Sequence, residues 1–267
     1  MSRRGAALGP PPVALLLPAG VAVLLLVGPF LGLLGRVPWG SLGGALSDPA
    51  ALEALRLSVM VATVTTFACV LLGLPLAWVL ARVQLPGRAL LRALVTVPLV
   101  LPPVVAGVAL LALLGRQGLT GRLLFDHLGV SIPFTTAAVV LAHTFVALPF
   151  FVLSAEGALR TVGADLDAVA ATLGAGRWHT FRRVTLPLVL PGVAAGALLA
   201  WARSLGEFGA TITFAGNYEG TTRTMPLLVY GELQQDPATA YALSLLMLGL
   251  SVLVLALLRE RWLGGLR

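Results

Sequence analysis

The stretch Trp201-Ala202-Arg203-Ser204-Leu205-Gly206-Glu207-Phe208-Gly209-Ala210-Thr211 sets two charges and several polar groups inside an otherwise apolar run. Arg203 and Glu207 are four residues apart, the spacing at which an arginine and a carboxylate pair on a helix. A helical period also puts Ser204, Glu207 and Thr211 on one side. One charge at the bilayer centre costs about 3 kcal/mol on insertion scales, so these groups must face each other or a wet cavity. The first arrangement is an ion pair that holds a bundle together. The second is a pathway face, in which Arg203, Ser204, Glu207 and Thr211 line the route of an anion and Phe208 narrows it.

Catalysis fits these residues poorly. Ser204 as a nucleophile with His143 as its base is conceivable, but no Gly-x-Ser-x-Gly elbow accompanies it. His127, His143 and His179 are scattered without a two-histidine ligand spacing, so no metal site is expected. Cys69 is the single cysteine and lies in an apolar stretch, as a packing residue does. All eighteen basic residues are arginine. A phosphate-cradling Walker loop needs a lysine, so the chain is expected to bind no nucleotide or other cofactor, and any ATP-Mg must be used by a partner. The expected reading is a non-catalytic chain.

With 58% hydrophobic and 11% charged residues and a mean hydropathy of +0.96, the elements that position these groups are solvated by lipid. Six segments have the roughly 20 apolar residues a span requires: 13–34, 57–81, 93–114, 134–155, 188–214 and 239–258. The fold class expected is all-α integral membrane, a single domain over 1–267. Met1–Leu34 reads as a first span, since its apolar run is too long for a signal peptide and lacks a small-x-small cleavage site. Twelve of the eighteen arginines fall on one side (Arg3, Arg4, Arg82, Arg88, Arg92, Arg160, Arg177, Arg182, Arg183, Arg259, Arg261, Arg267), while Arg36, Arg56, Arg116, Arg122 and Arg223 fall on the other. The positive-inside rule then makes both termini cytoplasmic. Because the arginines lie in loops between apolar runs, the pI near 11.1 calls for no nucleic-acid partner.

Prolines at 75, 98, 102, 103, 149 and 191 fall inside or at the ends of the spans, where each removes a backbone donor. Val95-Thr96-Val97-Pro98-Leu99-Val100-Leu101-Pro102 is echoed by Val184-Thr185-Leu186-Pro187-Leu188-Val189-Leu190-Pro191, with Ala106-Gly107 and Ala195-Gly196 at the same offset. Apolar composition generates such matches by chance; a true repeat would be parallel, unlike the inverted repeats of many secondary transporters.

About thirty residues, 156–187, join the fourth and fifth spans, long for a helix connection. Asp165 is the expected N-cap of a short helix running to Leu173, stopped by Gly174 and Gly176. A second turn follows from Trp178 to Val184, and Pro187 starts the next span. Taken alone, this is an interfacial helix whose arginines meet anionic headgroups.

Ala168-Val169-Ala170-Ala171-Thr172-Leu173-Gly174-Ala175, then Phe181-Arg182-Arg183-Val184-Thr185-Leu186-Pro187 and Pro191-Gly192, resemble the EAA loop of ABC importer permeases. The resemblance implies a cytoplasmic coupling helix that docks on a partner ATPase through Asp167, Ala168, Ala170, Ala171, Gly174, Ala175 and Arg177. The chain departs from the pattern in one respect: the family's glutamate falls at Ala168, and an acid stands one position earlier, at Asp167.

Gly206–Thr211 together with the polar segment Phe214–Tyr230 closely resembles the molybdate-type permeases, whose relatives carry sulfate, and the likeness spans nearly the whole chain. Within it, Arg223-Thr224-Met225-Pro226-Leu227 favours molybdate. The resemblance implies a multi-pass inner-membrane importer of molybdate or tungstate. It implies two copies of this chain as a homodimer, two cytoplasmic ATPase subunits, an extracytoplasmic oxyanion-binding protein and membrane lipid as partners. A sulfate or thiosulfate permease is the alternative within the family, and an ion-coupled secondary transporter is the alternative outside it.

Overall fold

The computed structural model describes residues 13–163 and 165–264; Arg3, Arg4 and Arg267, which contribute to the charge bias, lie outside the described residues. The described secondary structure is helical throughout: α1 (Val13–Arg36), α2 (Leu42–Ser47), α3 (Pro49–Arg82), α4 (Arg88–Val100), α5 (Pro103–Leu114), α6 (Gly121–Leu128), α7 (Thr136–Val162), α8 (Asp165–Thr172), α9 (Arg177–Thr180), a π-helical turn (Phe181–Thr185), α10 (Leu186–Leu205), α11 (Gly209–Phe214), α12 (Met225–Gln235) and α13 (Pro237–Gly264). Five stretches are long and apolar enough to cross a membrane, and α4 with α5 makes a sixth if the bent pair counts as one span.

Local chemistry moves several of the expected boundaries. α3 begins at Pro49, well before 57, because Asp48 caps it by accepting from the Ala50 N–H at 2.7 Å and Pro49 needs no partner at the first helical position. α7 runs to Val162, beyond 155, so the connection to α10 is shorter than the expected 156–187. The span expected over 188–214 is two helices, with a break at 206–208.

The span expected over 93–114 is also not one helix: α4 and α5 meet at 119°. Leu101 (ψ 127°) and Pro102 (ψ 133°) are both extended. Each precedes a proline, and a proline ring disfavours the helical region for the residue before it. The echoed Leu190-Pro191-Gly192 has one proline instead of a doublet, and α10 continues through it. The near-identical octapeptides thus take different backbones because of the residue that follows them.

The chain divides into two compact units, 48–230 and a second made from the segments on either side of it. In the second unit α13 packs with α1 and α2, and α1 leaves its leucines open, as a lipid-facing helix does. In the first, α7 packs against both α3 and α10 around Cys69, Leu80, Phe151, Leu159, Val189 and Ala200, while α11 packs on α5 and α7 around Val61, Ala106, Ala142 and Phe214. Lipid tails are as apolar as leucine, so membrane helices gain by close backbone approach at small residues. A Cβ at Gly196 would stand 3.0 Å from that of Ser154 and 3.1 Å from the Phe151 carbonyl oxygen. One turn earlier, the Gly192 carbonyl accepts from Ser154 Oγ at 3.0 Å.

Gly196→Val forces α10 away from α7 and is expected to lower stability by about 1–3 kcal/mol, read as a reduced midpoint of thermal unfolding in detergent. An unchanged midpoint would contradict this account of the interface.

Candidate translocation and coupling sites

The polar stretch noted at 201–211 lies where α10 stops and α11 starts. Glycine at 209 permits the close approach of the break to α5: a Cβ there would lie 2.8 Å from that of Pro103 and 3.1 Å from the Val104 nitrogen. A break within an apolar segment frees backbone groups that lipid cannot satisfy. Glu207 meets part of that demand. Its Oε1 accepts from the Ala210 N–H at 2.9 Å, capping α11, and its Oε2 meets Arg203 Nη2 at 2.6 Å, an ion contact without an aligned N–H···O line. Glu207 is 1% exposed and the Arg203 side chain 25%, so the arginine is the member of the pair open to the surroundings.

Ser204, Glu207 and Thr211 were expected on one face of a single helix; the helix breaks between them, and Ser204 and Thr211 are joined across the break through a third residue. His143, on α7, places Nδ1 2.8 Å from Ser204 Oγ and Nε2 2.9 Å from Thr211 Oγ1, and all three side chains are buried. Its role was hidden by sequence distance; what the sequence offered was a base for Ser204. The pair has a hydrolase-like separation, yet Ser204 is 1% exposed and sits on Nδ1, the ring nitrogen where a catalytic triad places its carboxylate, while Thr211 takes Nε2. Phe208, half-buried, packs on Tyr230 with ring centroids 5.0 Å apart.

The segment that follows is a compact cap. The Tyr218 N–H donates to Thr222 Oγ1 (2.9 Å), Arg223 Nε donates to Asn217 Oδ1 (3.2 Å), and Gly216 and Gly220 take positive φ. It is tied to α7 by Thr136 Oγ1 donating to the Thr221 carbonyl (2.9 Å) and to α3 by the Met225 N–H donating to Ser58 Oγ (2.8 Å).

At the other end of α10, α8 closes as its glycine implies. Gly174 stands at φ +81°, its N–H donates to the Ala171 carbonyl and the Ala175 N–H donates to the Ala170 carbonyl, each at 3.0 Å, which is a Schellman ending. Ala168, Ala171, Gly174 and Arg177 are exposed, Ala170 and Ala175 half-buried, and Val169, Leu173 and Trp178 extend an apolar outer surface.

Asp167 is directed inward instead. Its Oδ1 accepts from Thr185 Oγ1 at 2.7 Å, and its Oδ2 lies 3.6 Å from Arg82 Nε at the end of α3, while Arg82 Nη2 donates to the Gly163 carbonyl. These groups border a cavity of about 410 Å³ that also includes Trp78, Arg177 and Phe181. The carboxylate expected to meet an ATPase thus ties α8 to α3 and to the π-helical turn. Nearby, buried Glu156 is paired with both Arg92 of α4 and Arg160 of α7, the latter at 2.8 Å. That triad was missed because Glu156 was placed in a loop, whereas it belongs to α7.

Asp167→Ala removes an ion contact and a hydrogen bond from this tie. Amide protection over 166–175 in hydrogen-exchange mass spectrometry is expected to fall about tenfold, the equivalent of one buried hydrogen bond, with Asp167→Asn affected less. Unchanged exchange in the alanine variant would show that the tie carries no load.

Residues 70–264 match the family model described as "Binding-protein-dependent transport system inner membrane component". The chain is 53% identical over 240 residues to the molybdenum transport system permease protein ModB of Mycobacterium bovis, covering 89% of this chain and 90% of that one. It is 35% identical over 225 residues to the sulfate transport system permease protein CysT of Escherichia coli, covering 83% and 80%. Among solved structures, a bacterial alginate ABC transporter in complex with an alginate pentasaccharide-bound periplasmic protein shares the fold, with a TM-score of 0.74 at 15% identity over 91% of each chain. With its candidate spans and a family match over most of its length, the chain belongs to the inner membrane components of binding-protein-dependent transport systems.

Proposed function

We propose that this chain is the permease subunit of an ABC importer for molybdate, with tungstate as an alternative cargo. The observation that carries the reading is 53% identity over nine-tenths of a relative named as a molybdenum transport permease, against 35% for one named as a sulfate permease. The chain itself is non-catalytic and binds no cofactor. Two copies form the translocation unit, two cytoplasmic ATPase subunits hydrolyse ATP-Mg, and an extracytoplasmic protein delivers the oxyanion. The arginine bias supports a topology with both termini and the α8–α9 segment in the cytoplasm.

In this mechanism the apolar outer surface of α8 and α9 docks on the ATPase, with Ala168, Ala170, Ala171, Gly174, Ala175 and Arg177 forming or shaping the contact. Asp167 acts behind that contact, passing displacement of α8 to Arg82 on α3 and, through Thr185, to the start of α10. Nineteen residues after Thr185 on the same stretch of chain stands Ser204, beside Arg203. Arg203 supplies the positive charge that an oxyanion meets at the break, and Glu207 sets its direction and prevents it from holding the anion too tightly.

Co-expression with the ATPase and binding protein, followed by reconstitution, tests the proposal: molybdate accumulation is expected to need ATP and loaded binding protein and to resist excess sulfate. Accumulation by the isolated chain, or stronger uptake of sulfate, would contradict it. Glu207→Gln retains an acceptor for the Ala210 N–H but loses the charge facing Arg203. It is expected to cut uptake about tenfold, as loss of a charge-assisted contact does, while ATPase co-purification is unchanged; wild-type uptake would return Glu207 to a packing role. Gly174→Val at φ +81° is strained by about 1–2 kcal/mol and is expected to weaken ATPase co-purification from detergent without lowering permease yield. Full recovery of the ATPase would count against α8 as its dock.

A further inference from the structure

His143 is a polar side chain buried in the middle of α7, and neither passage of an anion nor docking of an ATPase requires an imidazole there. Burying an imidazole in an apolar setting is unfavourable unless its nitrogens are satisfied, and a leucine would fill similar space without that cost. The justification for the ring lies in its partners. Ser204 is the penultimate residue of α10 and Thr211 the third of α11, so a ring fixed on one element grips both sides of the break in another.

Glu207 and Arg203 hold the break to itself: the Ala210 N–H cap and the ion contact are all within 203–210. None of these contacts reaches α7; those of the imidazole do. In a neutral ring one nitrogen donates and the other accepts, so one hydroxyl accepts from the ring and the other donates to it, giving two bonds of opposite sense. Swinging α11 relative to α10 must break at least one.

Resting on the importer reading, we infer that His143 is a positioning residue for translocation: bonded to Ser204 and Thr211, it sets the angle between α10 and α11, and with it the direction in which Arg203 and Glu207 face. Its loss uncouples anion passage from ATP hydrolysis without removing any group that touches the anion or the ATPase.

The test uses the whole transporter, with ATPase and loaded binding protein, in proteoliposomes, and reads molybdate taken up per ATP hydrolysed. His143→Leu is expected to lower that ratio about tenfold, the equivalent of one buried hydrogen bond, with stimulated ATP hydrolysis remaining near wild type. An asparagine amide can reach the Nδ1 position and a glutamine amide the Nε2 position, so His143→Asn and His143→Gln each retain one partner and are expected to fall between. The double variant Ser204→Ala with Thr211→Val, leaving the ring in place, reproduces the loss and keeps the test open if His143→Leu does not fold. A wild-type ratio in His143→Leu or in the double variant overturns the inference and leaves the importer reading intact. Uptake and hydrolysis falling together, in proportion to folded complex, also overturn it, since that is purely structural behaviour. Failure of the wild-type transporter to accumulate molybdate overturns the importer reading and this inference with it.

Discussion

Lipid offers a peptide group no hydrogen-bond partner, so a chain that leaves the α-helix inside an apolar segment must satisfy itself from its own side chains and neighbouring backbone. Among the described residues this protein does so at 101–102 and at 206–208, and the two places are packed together. Gly209 lies against Pro103 and Val104, and Gly107 lies so close to Thr213 and the Ala210 carbonyl that any side chain there would collide. The doublet Pro102-Pro103 makes one break, and Gly209 lets the other pack against it. Glu207 answers the second with a cap on Ala210, and a carboxylate buried for that purpose requires a cation, which Arg203 supplies.

A functional consequence follows from the asymmetry of that pair. The carboxylate is enclosed, its Oε1 bonded to the Ala210 N–H and its Oε2 in ion contact only, while the guanidinium retains exposure and spare donors. On the proposed importer reading, this held and still open positive group is the one an oxyanion meets. Arg203 is held by Glu207, and the break containing Glu207 is held to α7 by His143 through Ser204 and Thr211. Earlier in sequence than α11, α8 is joined through Asp167 to both Arg82 and Thr185. α8 is thus tied to α3 and to the π-helical turn that leads into α10, whose other end is the break.

Much of this was legible in the sequence. The pairing of Arg203 with Glu207 follows from their spacing, and the end of α8 follows from Gly174, because both are local rules with little competition from packing. The breaks were less legible. Periodicity reads 93–114 and 188–214 as single spans because hydropathy does not register one or two extended residues, although the Pro102-Pro103 doublet and the paired glycines carried the information. What sequence could not supply was contact across distance. His143 is separated from its partners by more than sixty residues, and nothing local distinguishes Asp167 facing Arg82 and Thr185 from Asp167 facing an ATPase. Glu156 was misplaced for a related reason: a carboxylate ends a hydropathy window, but two arginines on one carboxylate let α7 continue past it.

The break after α10 is sustained by polar groups acting on one another and not by hydrophobic packing alone. A double-mutant cycle on Arg203→Met and Glu207→Gln, read as the free energy of reversible unfolding in detergent, measures that directly. A coupling of about 1–3 kcal/mol between the two positions is expected, with Arg203→Met the more damaging single change because it leaves Glu207 buried without its cation. A coupling within about 0.3 kcal/mol of zero, meaning that the two losses simply add, would contradict it.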